Sequence, residues 1–350
     1  METAVLLSGG VDSSLALHLL REEGHALRAF YLKVWLEEEL SFLGDCPWEE
    51  DLRYARAVCA QVGVPLEVVP LQAEYLERVV EHALAELRAG RTPSPDIHCN
   101  RRIKFGAFLD RVGAGFGQVA SGHYARTEAR QGGHHLLRAA DPVKDQTYFL
   151  SWLDQAQLGR VLFPIGGLAK AEVRRLAAQY GLATQDRRDS QGICFLGKID
   201  YRQFVRARLG ERPGPIVDRQ SGKKLGTHRG LWFHTIGQRH GLGLGGGPWF
   251  AVGKDLDTNT LWVAHEAEPE NRLRRAFATE APHWIGAGPA PGALEVKLRH
   301  GPHTTSCTIV PLAEGGLAVD LDTPDPGIAP GQHAVFYQGD ECLGGAVIAG

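Results

Sequence analysis

Two cysteines sit in surroundings that suit sulfur chemistry. Cys99 closes the run Arg91-Thr92-Pro93-Ser94-Pro95-Asp96-Ile97-His98-Cys99-Asn100, which continues as Arg101-Arg102-Ile103-Lys104-Phe105. Prolines 93 and 95 hold this run extended, and Asp96, three residues before Cys99, is near enough to exchange a proton with the thiol or with a substrate. Cys194 lies in Asp189-Ser190-Gln191-Gly192-Ile193-Cys194-Phe195-Leu196-Gly197, just after Arg187 and Arg188, whose charge favours a thiolate. Cys46, Cys59, Cys307 and Cys342 form no Cys-x-x-Cys pair and read as small buried or surface residues.

A third motif suits phosphate chemistry. Ser8-Gly9-Gly10-Val11-Asp12-Ser13 follows the apolar run Ala4–Leu7 and opens a helical pattern. Glycines let the backbone approach phosphate oxygens, while helix amides and serine hydroxyls donate to them. The Gly-Lys-Ser/Thr ending of the Walker loop is missing, so no lysine of the motif is aimed at a terminal phosphate. The pattern resembles the pyrophosphate loop of ATP-pyrophosphatases, in which Asp12 would help to hold magnesium.

These residues need a frame. Up to about residue 190, strand-like and helix-like segments alternate: strands at Ala4–Leu7, Leu27–Trp35 and Leu66–Val69, helices at Ser13–Glu23, from about Glu49, and at Tyr75–Ala89. Such alternation predicts a parallel sheet covered by helices, with ligands at the carboxyl ends of the strands, where the Ser8 and Gly122 loops lie. After a helix capped by Asp200 over Tyr201–Leu209, short strands at Lys224–Gly226, Trp249–Val252 and Thr260–Ala264 predict a small β-rich unit. Beyond Arg275, runs at Leu294–Arg299, Cys307–Val310, Leu317–Leu321 and Ala334–Tyr337 predict a β-barrel.

Five segments in order are similar to those of the tRNA-specific 2-thiouridylases, the MnmA family. They are the two cysteine loops, Ser121-Gly122-His123-Tyr124-Ala125-Arg126, Lys144-Asp145-Gln146-Thr147-Tyr148-Phe149-Leu150 and Thr235-Ile236-Gly237-Gln238-Arg239. The resemblance implies an α/β chain: a Rossmann-like ATP-pyrophosphatase domain over 1–198, a small central domain over 199–273 and a tRNA-contacting β-barrel over 274–350. It implies an ATP- and magnesium-dependent sulfurtransferase acting on the wobble uridine of tRNAs for lysine, glutamate and glutamine, supplied with sulfur by a cysteine desulfurase or a relay protein. It also implies roles: Cys99 as nucleophile, Cys194 as persulfide carrier, the two forming a catalytic disulfide, and Asp96 as acid/base. Leu6, Leu7, Ser8, Gly9, Gly10, Val11, Asp12, Ser13, Leu32 and Gly122 would contact ATP. Ser94, Pro95 and Asp96 would meet the target base, and His123, Lys144, Asp145, Gln146, Arg299, His300 and Gln332 the tRNA. Ser94 stands where the family usually has the longer-reaching Asn, and His98 where it often has an apolar residue.

Composition sets the remaining bounds. A chain of 350 residues, 43% hydrophobic and 23% charged, has the balance of a multidomain globular enzyme. No apolar run reaches the roughly 18 residues of a membrane span, and no basic-flanked apolar leader follows Met1, so the expected compartment is the cytoplasm, with thiols reduced. The net charge of −3 means that an RNA surface must be local. Candidate patches are Arg101/Arg102/Lys104, Arg187/Arg188, Lys223/Lys224 and Arg272/Arg274/Arg275.

Overall fold

In a computed structural model the chain is described over residues 2–35, 48–188 and 200–350. A five-stranded parallel sheet carries the first unit. Its strands are β1 (Glu2–Leu7), β2 (Leu27–Lys33), β3 (Leu66–Pro70), β4 (Phe116–Ser121) and the short edge strand Val161–Leu162. Their order is β3-β2-β1-β4 and then the edge strand. The chain leaves β1 toward β2 on one side, while β4 lies on the other, so the crevice at the carboxyl ends of β1 and β4 is the topological switch point. β1 is buried along nearly all its length, as a central parallel strand between two helical layers must be. Helix α1 (Val11–Glu22) buries Leu15, Ala16, Leu17 and Leu20 against the sheet and neighbouring helices.

Residues 214–265 form a four-stranded sheet of Gly214–Asp218, Lys224–His228, Trp249–Asp255 and Thr260–His265 around the buried residues Ile216, Leu231, Ala251, Leu261 and Val263. The preceding helix is Tyr201–Leu209, with the Asp200 side chain accepting from the Gln203 amide, as its sequence predicts. The last unit is a large antiparallel sheet whose inner face buries Leu294, Val296, Ile309, Val319, Leu321 and Phe336.

Two features differ from the sequence reading. The hairpin Arg126–Arg130/Gly133–Leu137, which falls in the first unit by sequence, pairs with Glu341 and Cys342 and extends the barrel sheet. Alternation there is masked by charged and histidine side chains, because only Leu136 and Leu137 of the second strand are buried. The Tyr75–Ala89 helix is a run of Gln72–Tyr75, a π-helical stretch Leu76–Val80, and Glu81–Arg88. Among the described residues no helix is long and apolar enough to cross a membrane.

The seam between the first unit and the barrel, where Ile97 and Leu150 share one apolar core with Val335 and Tyr337, also holds a cluster of imidazoles. His98 lies 4.3 Å, centroid to centroid, from His82 and 5.8 Å from His333, and Trp152 is edge-on to His333 and stacked on His283. Burial, reinforced by the neighbouring histidines and Arg102, pushes His98 from 6.5 down to about 2, and burial pushes His333 down to about 3. Both ring nitrogens of His333 lack a hydrogen-bond partner. The unfolded chain takes up these protons near pH 6.5 and the folded chain refuses them, so stability is full above pH 6.5 and is lost as pH falls toward 3. Each histidine contributes up to about 1.4 kcal/mol per pH unit below its unfolded value. The unfolding midpoint in denaturant should therefore fall between about pH 7.5 and pH 5, and His333→Leu should flatten that slope. A slope unaltered in His333→Leu would refute this assignment.

Candidate active site

The nucleotide loop turns at the carboxyl end of β1. Gly9 has φ +73°, and a Cβ there would lie 2.3 Å from the Asp51 carbonyl oxygen, so both conformation and space demand glycine. Gly10 is the N-cap of α1 and supplies no side-chain cap, which leaves the first amides of a twelve-residue helix open to an anion. Serines knit the loop: the Ser8 amide donates to Ser13 Oγ at 3.2 Å, and Ser13 and Ser14 donate to the Gly10 carbonyl at 3.2 and 2.8 Å. Gly122, just past β4, packs on the same turn, where a Cβ would sit 2.5 Å from the Ser13 amide nitrogen. Leu6 and Leu7 are buried beneath the loop, Val11 is buried in the first turn of α1, and Leu32 lies on neighbouring β2.

Asp12 is not an open carboxylate. Lys170 Nζ donates to both its oxygens at 2.7 and 2.9 Å, and the Tyr124 hydroxyl donates to Oδ1 at 2.8 Å. A magnesium ion at Asp12 fits only with Lys170 displaced from the carboxylate, which would leave its ammonium beside the loop. Lys170 is held for this position by its amide, which donates to Asp141 Oδ2 at 2.9 Å, and by the Tyr124 ring. The cation that the loop motif lacks is thus present 158 residues away, and its only sequence trace is an N-terminal position on the helix Lys170–Gln179. Arg187, read in sequence as a charge favouring a Cys194 thiolate, donates to the Gly9 carbonyl at 2.7 Å and to Asp51 at 2.8 Å.

Cys99 ends the short helix Pro95–Cys99, with Pro95 in its first turn and Ser94 as N-cap, and its side chain is buried in the main core. Burial raises the Asp96 carboxyl above its usual range and the nearby Lys104 ammonium partly opposes this. Lys104 faces inward. Its Nζ lies 3.5 Å from His123 Nε2, while His123 Nδ1 lies 2.8 Å from Ser121 Oγ. Burial and the Lys104 charge hold the His123 ring neutral. The consecutive residues Ser121, Gly122 and His123 therefore touch both the nucleotide loop and the group beside Asp96. Cys194 and Cys46 lie outside the described residues. Cys59, Cys307 and Cys342 are buried, with thiols pushed up to about 12 by desolvation, as inert cysteines should be.

The residues expected to meet RNA are placed unevenly. Asp145 is 2% exposed and forms a 2.8 Å ion pair with buried Lys297, while its other oxygen accepts from the Ala139 amide and the Thr147 hydroxyl. Its side chain therefore faces the interior. Gln146 accepts from the Tyr124 amide at 2.9 Å, and its neighbour Lys144 is half-buried. Gln332 spans two carbonyls of the Cys99 loop, Thr92 and Pro93, at 3.2 and 3.1 Å. The Ser94 side chain bonds the Tyr148 hydroxyl. Arg299 and His300 are exposed, the first in a fork to Asp325 and the second against the Phe149 ring at 4.6 Å. In the basic patches, Arg101 lies over Trp152 and Arg275 pairs with Asp320, while Lys223 and Lys224 are exposed.

Comparison with known proteins fits this geometry. Residues 1–198 match the family described as the tRNA methyl transferase HUP domain, residues 202–265 the tRNA methyl transferase PRC-barrel domain, and residues 274–348 the aminomethyltransferase beta-barrel domain. The chain is 45% identical to tRNA-specific 2-thiouridylase MnmA 1 of Bacteroides thetaiotaomicron, over 99% of each chain. It is 43% identical to MnmA of Porphyromonas gingivalis over 99% of each, and 44% identical to MnmA 2 of Geobacillus kaustophilus over 99% of this chain and 95% of that one. The chain belongs to the MnmA family of tRNA-specific 2-thiouridylases.

As an MnmA-family chain it combines a HUP-type α/β domain, a PRC-barrel and a C-terminal β-barrel, the fold class expected from sequence. The methyl transferase wording of the domain descriptions and the thiouridylase names of the relatives differ, and the relatives, matched along the whole chain, are the finer guide. Within that family frame, Lys170 is the residue that motif reading misses. Lys170→Ala should weaken ATP and pyrophosphate binding at least tenfold, while far-ultraviolet circular dichroism stays unchanged. Calorimetric titration checks this, and unchanged affinity would mean that Lys170 serves only to hold Asp12.

Proposed function

We propose that this protein replaces the C2 oxygen of the wobble uridine of tRNA by sulfur, using ATP to activate the oxygen and a cysteine persulfide to deliver the sulfur. The observation that carries the reading is the Ser121-Gly122-His123 turn. Gly122 packs on the nucleotide loop, and His123 reaches Lys104 beside Asp96, so phosphate and cysteine chemistry share one site. The division into a catalytic domain over 1–198, a central domain over 199–273 and a barrel over 274–350 belongs to the same proposal.

A carbonyl oxygen of uracil is a poor leaving group. Attack of that oxygen on the α-phosphate of ATP expels pyrophosphate and converts the oxygen into a leaving group on AMP. The open amides of α1, the serine hydroxyls and Lys170 would bind the phosphates, and Asp12 would hold magnesium, which supplies charge neutralisation when bound. The terminal sulfur of a Cys194 persulfide then reaches C2 by either of two routes. It attacks directly, AMP departs, and Cys99 cleaves the remaining sulfur–sulfur bond. Otherwise Cys99 first attacks the persulfide and frees hydrosulfide, which attacks C2. Both routes end in a Cys99–Cys194 disulfide that an external thiol must reduce. Asp96 would hold or move the proton at the base or the thiol. The base must leave its stack to enter, which a single-stranded anticodon loop makes inexpensive. Ser94 and Pro95 would border the base, and Lys144, Arg299 and His300 the RNA. The persulfide would be charged by a cysteine desulfurase or a relay protein.

The test is nucleoside mass spectrometry on tRNAs for lysine, glutamate and glutamine incubated with protein, ATP, magnesium and a sulfur donor. One 2-thiouridine, one AMP and one pyrophosphate per turnover are expected, with Cys194→Ser and Cys99→Ser each lowering product at least 100-fold. ADP as product, or full turnover by both serine variants, would refute the scheme.

A further inference from the structure

Lys104 belongs by sequence to a basic patch, Arg101/Arg102/Lys104, that suits phosphate contacts on the surface. The structure turns it inward. The reason is the winding of its helix. Asp96 lies in the α-helical stretch Pro95–Cys99, and Lys104 lies eight residues on, inside the π-helical stretch Asn100–Ala107. Eight residues of α-helix turn about 800°, roughly a quarter-turn past the Asp96 face. The i→i+5 winding of a π-helix turns less per residue and brings Lys104 back toward that face.

The π stretch is built in. Gln157, fixed by the capping box with Asp154, donates from Nε2 to the Arg101 carbonyl at 3.0 Å and to the Phe105 carbonyl at 2.7 Å, satisfying oxygens in the widened turns. Gly106 is required in the same turn, where a Cβ would meet the Arg101 carbonyl oxygen at 2.7 Å. A rare helix form secured from outside, at the residue run that follows a nucleophile, places one ammonium group between two halves of the site. On one side are Asp96 and the Cys99 helix; on the other is His123, 3.5 Å from Nζ, next to Gly122, which follows β4 and packs on the nucleotide loop.

We propose that Lys104 is a catalytic residue, whose ammonium binds the oxygen joining the uracil ring to the AMP phosphate and neutralises that phosphate as it departs. The inference rests on the adenylation reading above and names the group that serves its second half. In that step the sulfur–C2 bond forms, the C2–O bond breaks, and the bonding pair leaves on the phosphate oxygen. Lys104 stays protonated throughout and donates a hydrogen bond. The neutral His123 ring, with Ser121 behind it, accepts from the same ammonium and aims it. A fixed cation at a developing charge is worth more in a partly buried site than on the open surface, and Lys104 is partly buried.

Single-turnover thiolation with tRNA, ATP and pre-loaded persulfide tests this in Lys104→Met, Lys104→Gln and Lys104→Arg. Lys104→Met should lower both AMP release and 2-thiouridine formation at least 100-fold. Persulfide loading on Cys194, tRNA affinity and its salt dependence should stay within about threefold of the parent protein. Lys104→Arg, which keeps the charge, should regain at least tenfold. Should Lys104→Met fail to fold, the arginine and glutamine variants carry the same comparison. Thiolation within threefold of the parent in the folded methionine or glutamine variant overturns the proposal. So does weaker tRNA binding with a shallower salt slope at unchanged saturating rate, which would make Lys104 a phosphate contact. If the parent protein itself forms no 2-thiouridine, the functional reading fails first, and the inference falls with it.

Discussion

The ion pair between Asp145 and Lys297 is the constraint on which the rest of the arrangement depends. Both side chains are 1% exposed, and they come from different units, one from the segment after the hairpin and one from the end of a barrel strand. Two charges taken out of water cost several kcal/mol each unless geometry and further hydrogen bonds repay them. Here Asp145 gains the Ala139 amide and the Thr147 hydroxyl, and Lys297 also lies 5.2 Å from the Tyr337 ring. Such a pair tolerates one docking geometry and penalises all others. Around it the hairpin joins the barrel sheet through Leu136 and Leu137, and Arg138 reaches Glu295 at 2.9 Å.

That docking decides where Cys99 sits. With the barrel fixed, the Pro330 carbonyl accepts from the Thr92 amide and Gln332 holds the next two carbonyls. From the central unit, Lys254, whose burial pushes it down to about 8, donates to the Gly90 carbonyl at 2.9 Å, and Thr235 meets Thr92. Arg91 is forked to Glu86. The extended segment ahead of Cys99 is therefore gripped by all three units. Reactions of this kind depend on sub-ångström placement, and a loop held from three sides supplies it without a long rigid element of its own. The barrel acts on the cysteine through this grip, so Gln332, expected from the family resemblance at the RNA surface, has an internal task.

The sequence exposes what is periodic and what is local. β1, α1, the helix after Asp200 and the barrel strands are legible because apolar spacing and caps lie within a few residues. The nucleotide loop is legible because strand, glycines and helix are contiguous. What escapes is fixed by partners far away in the chain. Lys170 on Asp12, Lys297 on Asp145 and Gln157 on the π-helical carbonyls lie 158, 152 and about 55 residues from their partners, and each looks like an ordinary polar residue in its own window. Lys104 misleads for a related reason, since i→i+5 winding leaves no periodic signature in eight residues and its basic neighbours suggest a surface. His98 departs from the apolar residue frequent at its position and instead joins a buried imidazole cluster that only the docked barrel completes.

The most direct test of the account is thiolation by Lys297→Met, which strands the Asp145 carboxylate, beside the double variant Asp145→Leu/Lys297→Met, which removes both charges. The single variant should lose about 3–5 kcal/mol of stability, and the double variant should recover most of it. At a temperature where all three proteins are folded, the single variant should thiolate tRNA at least tenfold more slowly, with a much smaller change in ATP affinity, because the barrel no longer holds the Cys99 loop in register. Parental thiolation by a demonstrably destabilised Lys297→Met protein would contradict the claim that barrel docking positions Cys99.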